Sequence, residues 1–219
     1  GSIGSELCRQ INGFGPEALY LLDHDESNLH GLQLEITGNG LLDADEIIIA
    51  DIRDESRIDQ VFATVQPELV FHAAAHKHLP LLERHPCEAV KSNVHGTQNV
   101  LEAAIRHGTS RFVLISTDKA ANPVSVLGYS KRVTERLTAH RSTVAAGTYL
   151  NVRFGNVLGS RGSVVTAFQA QISAGGPVTV TATIARPREE VFEYLADIAN
   201  HAEFTDHFLK DFRLTREQS

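Results

Sequence analysis

Short apolar runs alternate with amphipathic stretches along the first 154 residues, and this alternation constrains the fold more than any other feature. The runs 18–22, 47–50, 69–75, 112–115 and 149–154 are built mainly from Ala, Val, Ile, Leu and Phe, and the first two end on Asp23 and Asp51. Between and around them, residues 3–11, 27–35, 56–65, 88–107 and 130–140 read as helices; Ile3, Leu7 and Ile11 show the spacing. Apolar strands separated by helices are the pattern of parallel βαβ units. Right-handed crossovers wind such units into an α/β fold, a Rossmann-type doubly wound parallel sheet with helices on both faces.

Open sheets of this kind work at the carboxyl ends of their strands, so the residues that follow each run carry the chemistry. After the run 112–115 comes Ser116-Thr117-Asp118-Lys119, which sets a hydroxyl, a carboxylate and an ammonium side by side. Those groups supply a hydrogen bonder, an acid and a base within one turn. At the start of the chain, Gly1-Ser2-Ile3-Gly4 leads into a helix whose bare N-terminus presents free N–H groups to a phosphate. Asp23 stands about twenty residues on, where a carboxylate accepts hydrogen bonds from a ribose. Asp51-Ile52 borders an adenine in the same reading. Ala73, Ala74 and Ala75, after His72, are small enough for a cofactor to approach the backbone.

Composition narrows the classes. The 219 residues are 42% hydrophobic and 21% charged, and the net charge is −7 with no basic stripe, which argues against a nucleic-acid partner. No apolar run approaches the roughly 18 residues of a membrane span, and no signal peptide opens the chain. Cys8 and Cys87 are too few for a disulfide framework, which places the protein in the cytoplasm. The absence of Met reads as a fragment, a processed chain or an engineered one. His72, His76, His78, His85 and His95 lack Cys or acidic partners at ligand spacing, so no metal site is read. No GxSxG elbow is present.

The blocks GSIGSELCRQI, LLDHDESNLH, ADIRDE, VFHAAAHKHLPLLERHP, NVHGTQNVLEAA, RFVLISTDKAANP, SKRVTER and NVRFGNVLGSRGSVV span roughly residues 1–181. Together they resemble the extended short-chain dehydrogenase/reductases, and within them the nucleotide-sugar 4,6-dehydratases of polysaccharide biosynthesis. The resemblance implies NAD as cofactor and a UDP-N-acetylhexosamine, UDP-GlcNAc above all, as substrate. Bound NAD would take hydride from C4 of the sugar and return it to C6 after loss of water, giving a 4-keto-6-deoxy sugar. On this scheme Asp118 protonates the departing C6 hydroxyl, Lys119 removes the C5 proton, Thr117 bonds near the C4 oxygen and Lys131 holds the nicotinamide ribose. Ser116 belongs to the cofactor side, and Asn93 supports the site from the preceding helix. Lys77, His78, Arg153 and Asn156 are candidates for substrate contact, where a cation suits a diphosphate. Lys119 as a base needs a depressed pKa, expected from burial and from nearby Lys131. The resemblance also implies a homo-oligomer.

Three departures qualify this. The family's usual Tyr, four residues before the helix Lys, is Leu127 here, and Tyr129 is two residues before Lys131, on nearly the opposite side of a helix. That disfavours the alternative of an ordinary epimerase or reductase. The family's first, central strand has no counterpart before Gly1, which is expected to leave two half-sheets without a shared neighbour. After residue 181 the chain resembles the opening of a helix-grip (START-like, polyketide-cyclase-type) domain. This gives an expected division into 1–177, the dinucleotide-binding domain, and 178–219, a strand–helix fragment, joined near 177–183. The strand at 178–185 is expected to fill the slot of the first strand. An inactive chimeric fragment is the remaining alternative.

Overall fold

The computed structural model describes residues 1–41, 44–155, 157, 169–170 and 172–175. The chain forms two compact units, Gly1–Gln169 and Ala170–Ser219. The expected join, the strand at 178–185 and the candidate Asn156 lie outside the described residues.

The first unit runs α1 (Ser2–Asn12), β1 (Leu21–Asp23), α2 (Glu26–Thr37), β2 (Ile47–Ile49), α3 (Glu55–Val65), β3 (Leu69–His72), α4 (Leu79–Arg84) and α5 (Pro86–Ala89). A π-helical turn (Val90–His95) leads into α6 (Gly96–Arg106), β4 (Arg111–Thr117), a 3-10 turn (Asp118–Ala120), α7 (Val126–Arg141) and β5 (Thr148–Phe154). All strand pairs are parallel, in two sheets: β1 beside β2, and β3–β4–β5 in that order. This is the expected Rossmann-like α/β architecture, and its two sheets share no strand among the described residues.

The register of β3, β4 and β5 puts Val70, Phe112 and Tyr149 on one face, followed along the strands by His72, Leu114 and Asn151. Ile58 and Phe62 of α3 and Val100, Leu101 and Ala104 of α6 close over that face and form the main core. Phe112, wholly buried, stacks on Tyr149 with ring centroids 5.3 Å apart. On the other face Leu69, Phe71 and Leu150 are exposed by 41%, 37% and 42%, so β3 is not the fully buried strand expected from its composition. A three-strand sheet with β3 at its edge cannot bury both faces of that strand.

The helix expected over 88–107 is continuous in its backbone to Arg106 but changes its hydrogen-bond pattern on the way. Pro86, which lacks an N–H, opens a new short helix, and the chain widens into the π-helical turn before α6 begins. The widened turn carries Asn93, wholly buried, toward partners on other elements. Helix α7 starts four residues before the expected 130, because Ser125 caps it by accepting from Gly128 N at 3.1 Å.

Candidate active site

The parallel strands deliver their carboxyl ends to one edge, as the polar residues after each run require. At β1 the Gly1 nitrogen lies 3.7 Å from Asp23 Oδ2, which brings the start of α1 to the carboxylate expected at a ribose. Gly1 caps α1 without a side-chain bond. A Cβ added to Gly4 would meet the Ala73 Cβ at 3.9 Å, so the first turn of α1 passes close to the small residues after β3. Ser2 and Ile3 share that turn, and Ala74 and Ala75 are exposed. Asp51, after β2, is engaged by Arg53 through both carboxylate oxygens, a contact that holds it below the usual carboxylate range. Ile52 packs against Gly96; a Cβ there would come within 2.5 Å of it, so only glycine fits where the π-helical turn meets the β2 end.

The second group sits at β4. Asp118 Oδ1 accepts from the Thr117 hydroxyl (2.8 Å), the Lys119 backbone N–H (2.8 Å) and Lys119 Nζ (3.1 Å). The Thr117 hydroxyl and then the Lys119 ammonium hold the Asp118 carboxyl below its ordinary range. The Asp118 and Lys119 side chains are 57% and 34% exposed, so the pair faces outward. Lys131, one turn and a half into α7, reaches back to donate to the Ile115 carbonyl at 2.6 Å. Burial pushes the Lys131 ammonium down to about 8, with the Glu135 carboxylate opposing. Leu127 and Lys131 are both buried on one face of α7, while Tyr129 is 58% exposed on the other.

Buried polar groups tie these pieces together. Asn93 Oδ1 accepts from His76 N (2.8 Å), and Nδ2 donates to the His76 carbonyl (3.1 Å) and to Ser130 Oγ (3.0 Å). One amide thus joins the loop after β3, the π-helical turn and α7, and Asn93 supports the site through its neighbours. Ser116 Oγ donates to Glu135 Oε1 at 2.7 Å, and Arg153 donates to both oxygens of the same carboxylate at 2.8 and 2.7 Å. His72 pairs with the Thr97 hydroxyl at 2.9 Å, and burial pushes its pKa down to about 3, so it is neutral. Glu135 and Thr97 were not foreseen as site residues, and Ser130, set aside as a nucleophile for want of a GxSxG elbow, serves instead as a partner of Asn93. Glu135 had one available signal, its place four residues after Lys131 on the same helical face. Lys77 and His78 lie on the exposed loop between β3 and α4, apart from the buried cluster.

The architecture agrees with the comparisons. A family profile described as "Polysaccharide biosynthesis protein" matches residues 1–199. That match runs through the expected join at 177–183, and no comparison supports a helix-grip domain. The probable polysaccharide biosynthesis protein EpsC of Bacillus subtilis is 50% identical over 182 residues, covering 83% of this chain and 30% of that protein. A UDP-N-acetylglucosamine 4,6-dehydratase (inverting) of Campylobacter jejuni is 34% identical over 188 residues, 83% of this chain and 54% of the enzyme. The chain therefore spans 30% to 54% of the length of these relatives. Among solved structures, Pen from Bacillus thuringiensis superposes with a TM-score of 0.74 at 34% identity, covering 83% of this chain and 56% of that one. A Thermus thermophilus UDP-glucose 4-epimerase, solved as a complex with NAD, shares the fold at a TM-score of 0.68 and 23% identity, with 90% and 70% covered.

Proposed function

The chain belongs to the polysaccharide biosynthesis protein family, and from that premise we propose that it carries the site of an NAD-dependent nucleotide-sugar 4,6-dehydratase acting on UDP-N-acetylglucosamine. The observation that carries this reading is the Asp118–Lys119 pair at the end of β4, with Lys131 buried behind it and an apolar Leu127 at the position of the usual Tyr. The residues present fit a dinucleotide. Gly1–Gly4 would offer backbone N–H groups to a pyrophosphate, Ala73 lines that side with a methyl group only, and Asp23, beside Gly1, would accept from a ribose. NAD, when bound, supplies a reversible hydride acceptor.

The remaining chemistry falls to the chain. Elimination of water requires a base at C5 and an acid at the C6 hydroxyl. In the resting pair the proton sits the other way, with an ammonium at Lys119 and a carboxylate at Asp118. The two forms hold the same number of protons and differ by one transfer across the 3.1 Å contact. Bound substrate excludes water from this outward-facing pair, and loss of water disfavours the charged form of each partner. Lys119 then takes the C5 proton, Asp118 gives its proton to the departing hydroxyl, and the ion pair is restored at the end of the step. Thr117 positions Asp118 through its hydroxyl, and Lys131 holds the nicotinamide ribose. Lys77 and His78 remain candidates for substrate contact, with Arg153 acting from the β5 end and Asn156 after it.

The test is incubation of the chain with NAD and UDP-GlcNAc, read by product mass. Dehydration lowers the mass by one water, whereas the rival epimerase reaction leaves it unchanged. Replacing Lys119 by Ala should lower dehydration by about 10²–10⁴-fold, the range for loss of a positioned proton-transfer group. Wild-type turnover in Lys119→Ala would remove Lys119 as the base.

A further inference from the structure

We infer that Glu135 is the positioning residue of this site: one buried carboxylate fixes the strand end that bears Thr117–Lys119 against the helix that bears Lys131. The inference rests on the dehydratase reading for its consequence but on geometry for its substance. Ser116 and Arg153 are register partners on β4 and β5, so their side chains leave the sheet on the same face. That is the face over which α7 lies, and Glu135 meets both. Its Oε1 accepts from Ser116 Oγ at 2.7 Å and from Arg153 Nε at 2.8 Å, and its Oε2 accepts from Arg153 Nη2 at 2.7 Å. Arg132, three residues earlier on α7, adds a longer contact of 3.5 Å to Oε2. The Glu135 backbone carbonyl accepts from Asn151 Nδ2 at 3.2 Å, a second tie to β5.

Four residues before Glu135, Lys131 bonds the carbonyl of Ile115, the residue adjacent to Ser116. Two side chains one turn apart on α7 thus grip two consecutive residues of β4, immediately before the reacting segment. The ladder to β5 already holds β4 through Thr117, and these two bonds at adjacent residues fix the strand end to α7 as well. Only the carboxylate of this pair is buried, since the Arg153 side chain is 40% exposed, so the pair adds modest stability and its main effect is the geometry that it specifies. The Glu135 side chain is 7% exposed, which also places it out of reach of a substrate at the outward-facing Asp118–Lys119 pair. It acts through its neighbours and touches no reacting atom.

The test uses the full chain and the isosteric variant Glu135→Gln, whose amide oxygen still accepts from Ser116 but whose NH2 cannot pair with the Arg153 fork. In steady-state dehydration we expect kcat to fall by about ten-fold or more with KM for UDP-GlcNAc changed less than about three-fold, because misplacing the proton-transfer groups costs the transition state selectively. Hydrogen exchange, which needs no turnover, should speed up at the amides of 116–120 and remain as in wild type in α3 and α6. Unchanged kcat, or unchanged exchange at 116–120, overturns the inference. If the wild type dehydrates nothing, the functional reading fails and exchange alone decides the role of Glu135. Should Glu135→Gln fail to give a cooperative melt, Ser116→Ala, which removes only the β4 contact, takes its place with the same local exchange pattern expected.

Discussion

The β1–β2 region and the β3–β4–β5 region are assembled from the same strand–helix unit, yet they are held together by different means. The first has strands of three residues each and a core of Leu21, Leu29 and Leu32, and α1 beside it buries no residue. The second has two seven-residue strands, the Ile58–Phe112–Tyr149 core and a set of buried polar contacts centred on Asn93 and Glu135. The residues expected at the pyrophosphate and ribose belong mainly to the first region, and the residues proposed for proton transfer belong to the second. Elements with few buried apolar contacts open most readily, so the cofactor side is the part that a ligand would tighten. The segment that bears the proposed chemical residues is already tied to α7 by side-chain bonds.

The sharpest break between the regions should come from core truncation. Phe112→Ala removes a wholly buried ring that stacks on Tyr149 and should cost about 3–5 kcal/mol by urea unfolding. Leu29→Ala, in the small core, should cost about 2 kcal/mol, at the low end for such changes, because its neighbours can collapse into the space. Equal costs would mean that the two cores are equally packed and would dissolve the distinction.

Cofactor binding tests it from the other side. NAD at about a hundred times its Kd should stabilise the chain by about 2.7 kcal/mol. Hydrogen exchange should slow most in α1 and β1 and least in β4 and α7. A uniform slowing, or none, would count against a ligand-shaped cofactor region.

The regions also differed in what the sequence disclosed. The strand ends could be read because apolar runs stop abruptly at Asp23, Asp51 and Ser116, and a buried strand cannot carry such residues far. The Asp118–Lys119 pair was legible for the same reason. Glu135 was hidden because its partners Ser116 and Arg153 lie 19 and 18 residues away, and which face of α7 meets the sheet is settled only in three dimensions. The π-helical turn was hidden too: nothing local to Val90–His95 breaks a helix, and the widening serves contacts from Asn93 to His76 and Ser130. The exposed Leu69 and Phe71 could not be foreseen from a run that is apolar on both faces.

A smaller effect should follow from Gly128, in the first turn of α7. A Cβ there would lie 2.6 Å from the Lys119 carbonyl oxygen and 3.1 Å from Pro123 Cβ, so the helix can approach the Asp118–Ala120 turn only without a side chain. Gly128→Ala should cost about 1–3 kcal/mol, as overpacking does, and should reduce turnover beyond the loss of folded protein because the obstacle is the backbone of Lys119 itself. NAD affinity should fall less than turnover, since β1 and α1 are untouched and only the Lys131 contact on α7 is at risk. Weakened NAD binding with normal turnover would reverse the assignment of the two regions.

The smallest expected effect is a pH dependence of stability that belongs to the β4–α7 side alone. Burial lowers Lys131 from 10.5 to about 8. Between those values the folded chain has released the Lys131 proton while the unfolded chain still holds it. The unfolded state therefore binds more protons, and stability from this group rises with pH from about 8 to the unfolded value, by at most about 1.4 kcal/mol per unit. Tyr149 acts in the opposite sense, since burial raises its pKa above 10.0, and stability falls with pH above that value as the unfolded tyrosine ionises. The two slopes together make stability rise from about pH 8 and turn over near or just above pH 10. Lys131→Met removes the rising limb and leaves the falling one, so the difference between the urea stabilities of wild type and variant should grow between pH 8 and 10. A constant difference would mean that the Lys131 ammonium is solvated, and the grip of α7 on β4 would then rest on Glu135 alone.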